Sequence, residues 1–254
     1  HNPDFIFHLA AQAIVSKSYS DPVDTVSSNV TGTMNILEAL RFYKKKCVAI
    51  IITSDKCYDN VEWLWGYRET DGLGGKDIYS GSKGAAELVI KSYFHSFFQK
   101  KHPVRLAIGR AGNVIGGGDW AKDRIVVDCM RAWSEEQTVE IRSPQATRPW
   151  QHVLEPLSGY LALGRALYEN PELHGEAFNF GPRAEQNHTV VKLLTDLSKH
   201  WGFSNTDQAY QITDNIPFHE AGLLKLNCDK ALFYLKWESN LHYDEAIKFV
   251  GDWY

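Results

Sequence analysis

Cysteine and methionine are scarce in this sequence, and metal-binding motifs are missing from it. The 254 residues include four cysteines and two methionines. No two cysteines form a CxxC pair, no cysteine stands with histidines at zinc-site spacing, and none of the ten histidines belongs to an HExxH motif. These absences argue against a metal centre and favour reduced thiols in a cytoplasmic protein.

Signals for membranes and nucleic acids are also lacking. No apolar run reaches the roughly 18 residues that a membrane-spanning helix needs, and no signal peptide opens the chain. The formal net charge is −4 and no long basic run occurs, so nucleic acid and anionic membranes are not expected partners. The composition, with 44% hydrophobic and 23% charged residues, is that of an ordinary globular protein with a sizeable core.

Three continuous apolar runs in the first half predict buried parallel strands. They cover residues 5–10, 47–53 and 104–109, and runs without polar alternation are typical of a sheet that is covered on both faces. Helical patterns lie between them at 29–45 and 79–101. Because strands alternate with helices, the sequence predicts an α/β fold with a Rossmann-like, right-handed, doubly wound parallel sheet.

The second half of the chain is more mixed and predicts a smaller lobe. Helices are expected at 126–136, 156–168, 190–201, 229–235 and 243–253, with strands at 139–141 and 177–180. We therefore predict a partial cofactor and catalytic domain over residues 1–118 and an α+β substrate-binding lobe over residues 119–254, partly interleaved with the first. Ligands of open α/β sheets bind at the carboxyl ends of the strands, so the functional residues should follow the strands.

Two polar clusters follow the predicted strands. Ser54, Asp55 and Lys56 come directly after the second strand, where the alternative interpretation is a polar turn that caps a helix. Tyr79 and Lys83 begin the next helix at i, i+4 spacing, so both lie on one face of it. An ammonium beside a phenol lowers the pKa of the phenol and makes tyrosine a better base. This spacing is also common by chance, and an exposed helical pair is its usual explanation.

Two stretches of small residues are weaker signals. The stretch HLAAQ at 8–12 follows the first strand and allows a flat ligand to approach the backbone, although tight helix–strand packing explains it equally well. The stretch GGGDW at 116–120 lacks the GxGxxG spacing of a dinucleotide-binding loop and follows the wrong strand. Neither stretch identifies a cofactor site by itself.

The order of these stretches resembles one protein family, the extended short-chain dehydrogenase/reductases, which act largely on nucleotide sugars. The resemblance covers essentially the whole chain. It rests on HLAAQ, NVTGT, ITSDKCYDN, YSGSK, RAGNVIGGGDW, RPWQHVLEPLSGYL, NFGP and PFHEAGLLKLNCDKA. Within the family the chain is most similar to the 4,6-dehydratases that act on CDP-glucose, since other sugar-nucleotide 4,6-dehydratases generally carry glutamate where Lys56 stands.

The resemblance implies a lyase that uses NAD to remove water from CDP-glucose. Tyr79 would take the proton of the sugar 4-hydroxyl, Lys83 would tune Tyr79 and contact the nicotinamide ribose, and Ser54 would orient the hydroxyl. Lys56 is then the candidate base at carbon 5, and Asp55 would protonate the leaving 6-hydroxyl. A proton shared between Asp55 and Lys56, or a water that acts as the base beside Lys56, remains an open alternative.

The resemblance also implies which residues surround the two ligands. Cofactor contacts are expected from Ala10, Ala11, Gln12, Asn29, Tyr79 and Lys83. Substrate contacts are expected from Asn113, Asp119, Trp120, Arg148, His219 and Glu220. The guanidinium of Arg148 would grip the diphosphate by bidentate hydrogen bonds, the alternative being a surface ion pair.

Further expectations concern the whole protein. In the family the glycine-rich fingerprint of the cofactor domain lies upstream of residue 1, so the chain is expected to be an N-terminally incomplete piece, and the choice of NAD over NADP rests on the resemblance alone. A homodimer is expected, because in the family the helix that includes residues 88–98 pairs with its copy. The alternative functions are another nucleotide-sugar 4,6-dehydratase and a non-catalytic dinucleotide-binding sensor with the same fold.

Overall fold

A computed structural model describes residues 2–213 and 222–254 of the chain. In that part the strands are β1 (Phe5–His8), β2 (Cys47–Ile52), β3 (Val104–Ala111), β4 (Val114–Ile115), β5 (Val139–Ile141), β6 (Thr147–Arg148), β7 (Gln151–His152), β8 (Ala177–Phe180), β9 (His188–Thr189) and β10 (Tyr210–Ile212). The helices are α1 (Val15–Ser20), α2 (Pro22–Val26), α3 (Gly32–Arg41), α4 (Ile78–Tyr93), α5 (Ile125–Ser134), α6 (Leu154–Glu169), α7 (Val190–Trp201), α8 (Asp229–Leu235) and α9 (Tyr243–Trp253). Short 3-10 turns lie at Asp55–Cys57, Pro171–Leu173 and Thr206–Gln208, and π-helical turns at Ser27–Thr31 and Phe94–Phe98.

A parallel sheet with the strand order β1-β2-β3-β8 forms the centre of the molecule. Successive residues of a strand point to opposite faces, so β2 is buried on both sides. Val48 and Ile50 pack with side chains of α6 on one face, whereas Ala49 and Ile51 pack with α3 and α4 on the other. This arrangement confirms the predicted α/β class with helices on both faces of a parallel sheet.

The predicted elements agree with the structure most closely where a strong turn or cap ends them. Helix α7 covers its predicted range and ends at Gly202, whose φ of 97° is the left-handed conformation that favours glycine at a helix end. Strand β3 runs two residues further than predicted, because Arg110 and Ala111 pair with β8. The helix predicted at 79–101 is α-helical only to Tyr93 and then continues as a π-helical turn.

Strand β8 and helix α6 belong to the predicted lobe by sequence position but to the central sheet by contact. Strand β8 pairs with β3, and α6 packs against β2 and β3. A parallel pair needs a crossover connection, so the segment between β3 and β8 passes through the lobe and returns. The predicted domain boundary at residue 118 remains a prediction. Residues 119–254 contribute strand β8 and helix α6 to the sheet that residues 1–118 begin.

The remaining elements build a second core beside the carboxyl edge of the sheet. Its buried side chains come from α5, α7 and α9 and include Met130, Trp133, Leu194, Leu197 and Ile247. The parallel pair of β5 and β10 covers one side of it. Across the described ranges, no helix combines the length and apolarity that a bilayer crossing requires.

Candidate active site

The turn directly after β2 carries Ser54, Asp55 and Lys56. The Oγ of Ser54 accepts a hydrogen bond from the backbone N–H of Lys56 at 3.2 Å, which caps the 3-10 turn Asp55–Cys57. The same Oγ donates to Oδ1 of Asp55 at 2.9 Å. Ser54 and Asp55 are buried, and Lys56 is half-buried. One hydroxyl of Ser54 therefore caps the turn and also contacts the carboxyl group of Asp55, so the two interpretations of this stretch are compatible.

The carboxyl group of Asp55 is buried and accepts hydrogen bonds from Ser54 and Asn113. Asn113 donates to its Oδ2 from Nδ2 at 3.2 Å, and Asn113 holds a left-handed backbone with φ of 53° directly after β3. Burial raises the pKa of Asp55, and the charge of Lys56 and the Ser54 hydrogen bond offset this effect only in part. Burial therefore shifts this carboxyl group toward its protonated form relative to an exposed aspartate.

Tyr79 and Lys83 lie on the buried face of α4. Their side chains belong to residues that are 7% and 5% exposed, respectively, so the exposed helical pair of the alternative interpretation is ruled out. Asp77 caps the helix, since its Oδ1 accepts a hydrogen bond from the backbone N–H of Ser80 at 2.9 Å. The Nζ of Lys83 lies 5.8 Å from the centre of the Tyr79 ring.

Burial dominates the acid–base properties of this pair. It raises the pKa of Tyr79 to about 12, although the Ser54 hydrogen bond and the charge of Arg124 act in the opposite direction. It lowers the pKa of Lys83 to about 8. The pKa of Tyr79 thus lies above the ordinary tyrosine value, whereas a lowered pKa was expected from the neighbouring ammonium of Lys83. The reason is that desolvation penalises the phenolate more than its polar neighbours stabilise it.

A cavity of about 420 Å³ lies at the carboxyl edge of β2 and β3, a size typical of small-molecule sites. Among the residues expected from the sequence, its walls include Ser54, Asp55, Lys56, Tyr79, Asn113, Asp119 and Arg148. These residues come from four separate stretches of the chain. The fold brings them to one cavity at the carboxyl ends of the strands, where functional residues were expected. His219 and Glu220, which were expected to contact substrate, lie outside the described residues.

The stretch after β1 is tied to the π-helical turn and to α4. The backbone N–H of Gln12 donates to Oδ1 of Asn29 at 2.9 Å, and Nδ2 of Asn29 donates to the Gln12 carbonyl at 3.0 Å and to Oγ of Ser82 at 2.9 Å. Ala10 and Ala11 are exposed. Gln12 and Asn29 therefore hold each other in place by hydrogen bonds, whereas the two exposed alanines leave the backbone accessible to a ligand.

Trp120 occupies a different place from the one expected of a cavity wall. Its ring lies 5.3 Å from that of Tyr254 and 6.4 Å from that of Trp253, and it is 52% exposed. A β-carbon on Gly117 would lie 2.1 Å from Cδ2 of Trp253. The close approach of the C-terminal helix thus requires glycine at position 117, whereas a β-carbon on Gly116 would meet Val153 at 2.7 Å.

Arg124 lines the cavity, and sequence reasoning did not single it out. Its Nη2 donates to the carbonyl of Ala13 at 3.3 Å, and its Nε forms an ion pair with Oδ2 of Asp119 at 3.7 Å. Its charge lowers the pKa of Tyr79. The only sequence signal was one arginine immediately before a predicted helix, and this signal is common on protein surfaces.

The cysteines and the acidic side chains add no metal site. All four cysteines are free thiols, with Cys47, Cys57 and Cys129 buried. Within residues 2–213 and 222–254, no group of three or more histidine, cysteine, aspartate or glutamate side chains is arranged to hold a metal ion.

Comparisons with known proteins identify the family to which this arrangement belongs. The family model described as GDP-mannose 4,6 dehydratase matches residues 1–249. The CDP-glucose 4,6-dehydratase of Salmonella typhimurium is 46% identical over 99% of this chain and 70% of its own length. Among solved structures, UDP-glucuronic acid 4-epimerase from Bacillus cereus aligns with a TM-score of 0.85 at 21% identity, over 98% of this chain and 74% of that one.

A solved dehydratase shares the fold as well. The dTDP-glucose 4,6-dehydratase of Bacillus anthracis, determined in complex with NAD, aligns with a TM-score of 0.79 at 18% identity, over 99% of this chain and 72% of that one. Likeness to an epimerase and to a dehydratase at such identities establishes the fold but does not separate the two activities. The family model and the 46% identical relative do separate them, and they show that the chain belongs to the GDP-mannose 4,6-dehydratase family of extended short-chain dehydrogenase/reductases.

Proposed function

We propose that this chain catalyses the NAD-dependent 4,6-dehydration of CDP-glucose to CDP-4-keto-6-deoxyglucose, a step in deoxysugar biosynthesis. The observation that carries the proposal is that the Ser54-Asp55-Lys56 turn and the buried Tyr79 line one cavity, with the buried Lys83 beside Tyr79 on the same helix. An epimerase needs only the oxidising pair, whereas a dehydratase also needs a base and an acid. The Salmonella typhimurium relative supports CDP-glucose as the substrate.

The residues near Tyr79 fit the nicotinamide end of NAD. The ammonium of Lys83 is held beside the tyrosine, and Nε2 of His8 is buried with no hydrogen-bond partner in the described part of the chain. Ala10 and Ala11 leave the backbone open at the same edge of the sheet. These residues would hold the ribose and nicotinamide of NAD, which when bound accepts the hydrogen of carbon 4 as hydride and returns it to carbon 6.

At carbon 4 the protein moves one proton. Tyr79 accepts the proton of the sugar 4-hydroxyl, and Ser54 orients that hydroxyl by a hydrogen bond. The phenolate form of Tyr79 is costly because the residue is buried. The Ser54 hydrogen bond and the positive charge of Arg124 oppose this cost. We assign the same effect to the ammonium of Lys83, whose Nζ lies 5.8 Å from the centre of the Tyr79 ring.

At carbons 5 and 6 the protein moves two protons. A ketone at carbon 4 acidifies the hydrogen on carbon 5, and Lys56 is the proposed base that removes it. Asp55 delivers a proton to the departing 6-hydroxyl, which leaves as water. Lys56 then returns a proton to carbon 5, and the proton held by Tyr79 passes through solvent to Asp55, so that every group regains its starting state. The raised pKa of Asp55 supports this role, because only a protonated carboxyl can act as the acid. A proton shared between Asp55 and Lys56 gives the same overall balance.

Substrate binding is assigned to other residues that line the same cavity. The guanidinium of Arg148 is the proposed diphosphate ligand, with Asn113 and Asp119 beside the sugar. Arg148 Nη1 donates to the Thr147 carbonyl at 2.8 Å, so the side chain is anchored to its own strand. Its charge reaches Asp55, whose pKa it lowers, which supports a position close to the reacting sugar.

We also propose that the chain forms a homodimer in the cytoplasm through α3 and α4. Met34 of α3, Leu88 of α4 and Phe97 of the following π-helical turn are exposed apolar side chains. The guanidinium of Arg41 lies 4.9 Å from the centre of the Phe97 ring. Light scattering of wild type and a Leu88→Glu variant tests this directly, since a charge on the proposed interface should give monomers.

The decisive experiment incubates the protein that contains this chain with NAD and, separately, CDP-, GDP-, UDP- and dTDP-glucose in heavy water. Loss of one water from CDP-glucose alone, with deuterium at carbon 5, is the expected result. Water loss from another nucleotide sugar would keep the mechanism and replace the substrate. Retention of water in all four, with NAD bound, would contradict the enzyme and favour a non-catalytic sensor.

A further inference from the structure

A buried ion pair lies directly behind the site and takes no part in the chemistry proposed above. Arg110 of β3 donates from Nε to Oε1 of Glu87 at 2.7 Å and from Nη2 to Oε2 at 2.5 Å, a bidentate arrangement. The two residues are 3% and 2% exposed, respectively. Glu87 lies on α4, one helical turn beyond Lys83, so the pair joins the helix of the oxidising residues to the central sheet.

The ion pair also holds both ends of the segment that carries the other catalytic residues. At the start of this segment, Oγ1 of Thr53 donates to Oε1 of Glu87 at 2.6 Å. At its end, Nη1 of Arg110 donates to the hydroxyl of Tyr58 at 2.7 Å. Between these two anchors lie the residues 54–57. The bidentate pair therefore fixes the position of the 3-10 turn from behind, at two points on either side of it.

The hydroxyl of Tyr58 connects this arrangement to the edge strand of the sheet. It donates to Oδ1 of Asn179 in β8 at 2.8 Å, and Nδ2 of Asn179 donates to the carbonyls of Tyr67 and Asn227 at 2.8 Å and 3.0 Å, respectively. Each polar group of the chain Glu87, Arg110, Tyr58 and Asn179 thus has a partner. A fully satisfied buried network of this kind holds one geometry, because any displacement leaves a group unpaired.

The charge of Glu87 acts on Lys83 as well. The charged and titratable groups that face Lys83 are His8 from β1, Cys57 from the 3-10 turn, and Tyr79 and Glu87 on its own helix. Glu87 and Cys57 raise the pKa of Lys83, against the larger effect of burial. Removing the carboxylate would therefore favour neutral Lys83 and move its titration to lower pH.

We propose that the Glu87–Arg110 pair is a positioning device for the dehydratase reaction, which holds the segment from Thr53 to Tyr58 at both ends and keeps a negative charge one turn from Lys83. This inference rests on the proposed function. Stability alone does not require such a pair, since replacing a buried ion pair by apolar side chains of similar volume is often neutral or stabilising. The pair instead keeps the acid and base of the 3-10 turn in register with the Tyr79–Lys83 pair.

The test compares wild type with the double variant Glu87→Met/Arg110→Met, which removes both charges together and so leaves no buried charge unpaired. We expect this variant to unfold at a temperature near that of wild type while kcat falls on the order of tenfold to a hundredfold, as for displacement of a catalytic group by about 1 Å. KM should change much less, because the cavity wall around Arg148 is untouched. A folded double variant with the kcat of wild type would overturn the proposal.

A second measurement does not depend on turnover. Nuclear magnetic resonance of lysines labelled with 15N at Nζ, assigned by comparison with a Lys83→Met counterpart, reports the ionisation of Lys83. It should move to lower pH in the double variant, because Glu87 raises the pKa of Lys83 in wild type, and an unchanged titration would contradict this part of the proposal. Glu155→Gln is the matched control, because Glu155 is also buried and accepts hydrogen bonds from the backbone N–H groups of Asn240 and Leu241, away from the cavity. It should leave both kcat and the Lys83 titration unchanged.

If the double variant does not fold, Thr53→Val removes a single hydroxyl from the arrangement and keeps the side-chain shape. A fall in kcat without a matching rise in KM supports the proposal, and an unchanged kcat overturns it. If wild type dehydrates no nucleotide sugar, the proposed function fails, yet the Lys83 titration still tests whether Glu87 acts on Lys83. The two failures are thereby distinguishable.

Discussion

A β-carbon on Gly112 would lie 1.9 Å from Oδ2 of Asp55, so the carboxyl group of Asp55 occupies the space that only a glycine leaves open. Gly112 follows β3 and Asp55 follows β2, and the two strands are neighbours in the sheet. The backbone that follows β3 thus sets the position of an acid that follows the neighbouring strand β2.

This contact predicts that Gly112→Ala disables the dehydration step. The added methyl group must displace Asp55, since a contact below 3.0 Å cannot be accommodated by a carboxyl group held by Ser54 and Asn113. We expect kcat to fall on the order of a hundredfold. Gly81→Ala is the control, because a β-carbon there meets nothing within 4 Å, and it should stabilise the helix by about 0.5–1 kcal/mol.

The variant Asp55→Asn should separate the two halves of the reaction. The amide cannot protonate the leaving hydroxyl, whereas Tyr79 and Lys83 are unaltered. We expect CDP-glucose recovered from heavy water to carry deuterium at carbon 5 while water loss falls on the order of 10²–10⁴-fold. Recovered substrate without deuterium would show that Asp55 is needed before carbon 5 is deprotonated, contrary to the role assigned to it.

The buried ammonium of Lys83 predicts a pH-dependent stability. The pKa of Lys83 is about 8 in the folded protein, whereas the ordinary lysine value of 10.5 applies to the unfolded chain. Between these two pH values the unfolded chain therefore binds more protons than the folded protein. The free energy of unfolding should therefore rise with pH across this window, and the penalty is fully present below pH 8. Replacing Lys83 by methionine removes it, and we expect the variant to be more stable at pH 7 by on the order of 3 kcal/mol.

Urea unfolding of wild type and Lys83→Met from pH 7 to pH 10.5 measures this effect as the difference between two curves. The two stabilities should converge as the pH approaches 10.5. Parallel curves would mean that Lys83 carries the same charge in the folded and unfolded states throughout, which would contradict the lowered pKa.

The two cavity arginines should give different kinetic results. Arg148→Gln is expected to raise KM on the order of tenfold or more with a smaller change in kcat, since loss of a charge-assisted contact to the diphosphate weakens binding in both ground and transition states. Arg124→Gln should instead lower kcat by a similar factor at every pH from 6 to 9, because Arg124 lowers the pKa of Tyr79 and its loss leaves less phenolate. Arg165→Gln, an exposed change on α6, is the control and should alter neither value.

Equal effects of the two cavity variants on KM would contradict this division of roles. Both arginines would then be substrate ligands, and the influence of Arg124 on Tyr79 would have no kinetic consequence. Initial rates across pH 6 to 9 at several CDP-glucose concentrations separate the two cases.

The sequence by itself determined the fold class and the identity of the reacting groups. Continuous apolar runs can be buried only in a sheet that is covered on both faces, and i, i+4 spacing places Tyr79 and Lys83 on one face of any helix. The strand-end rule then placed the Ser54-Asp55-Lys56 triplet at the same edge. These inferences depend on local geometry, which is fixed by covalent spacing.

Only the tertiary structure decided which distant residues support these groups. Gly112 beneath Asp55, Arg110 on Glu87 and Arg124 beside Tyr79 join positions that are far apart in the chain, and strand β8 enters a sheet that is built mainly from the first half. The raised pKa of Tyr79 is another such outcome, because burial depends on how α4 packs and not on its sequence alone. Packing of distant segments sets both the contacts and the desolvation, and neither can be read from the spacing of residues along the chain.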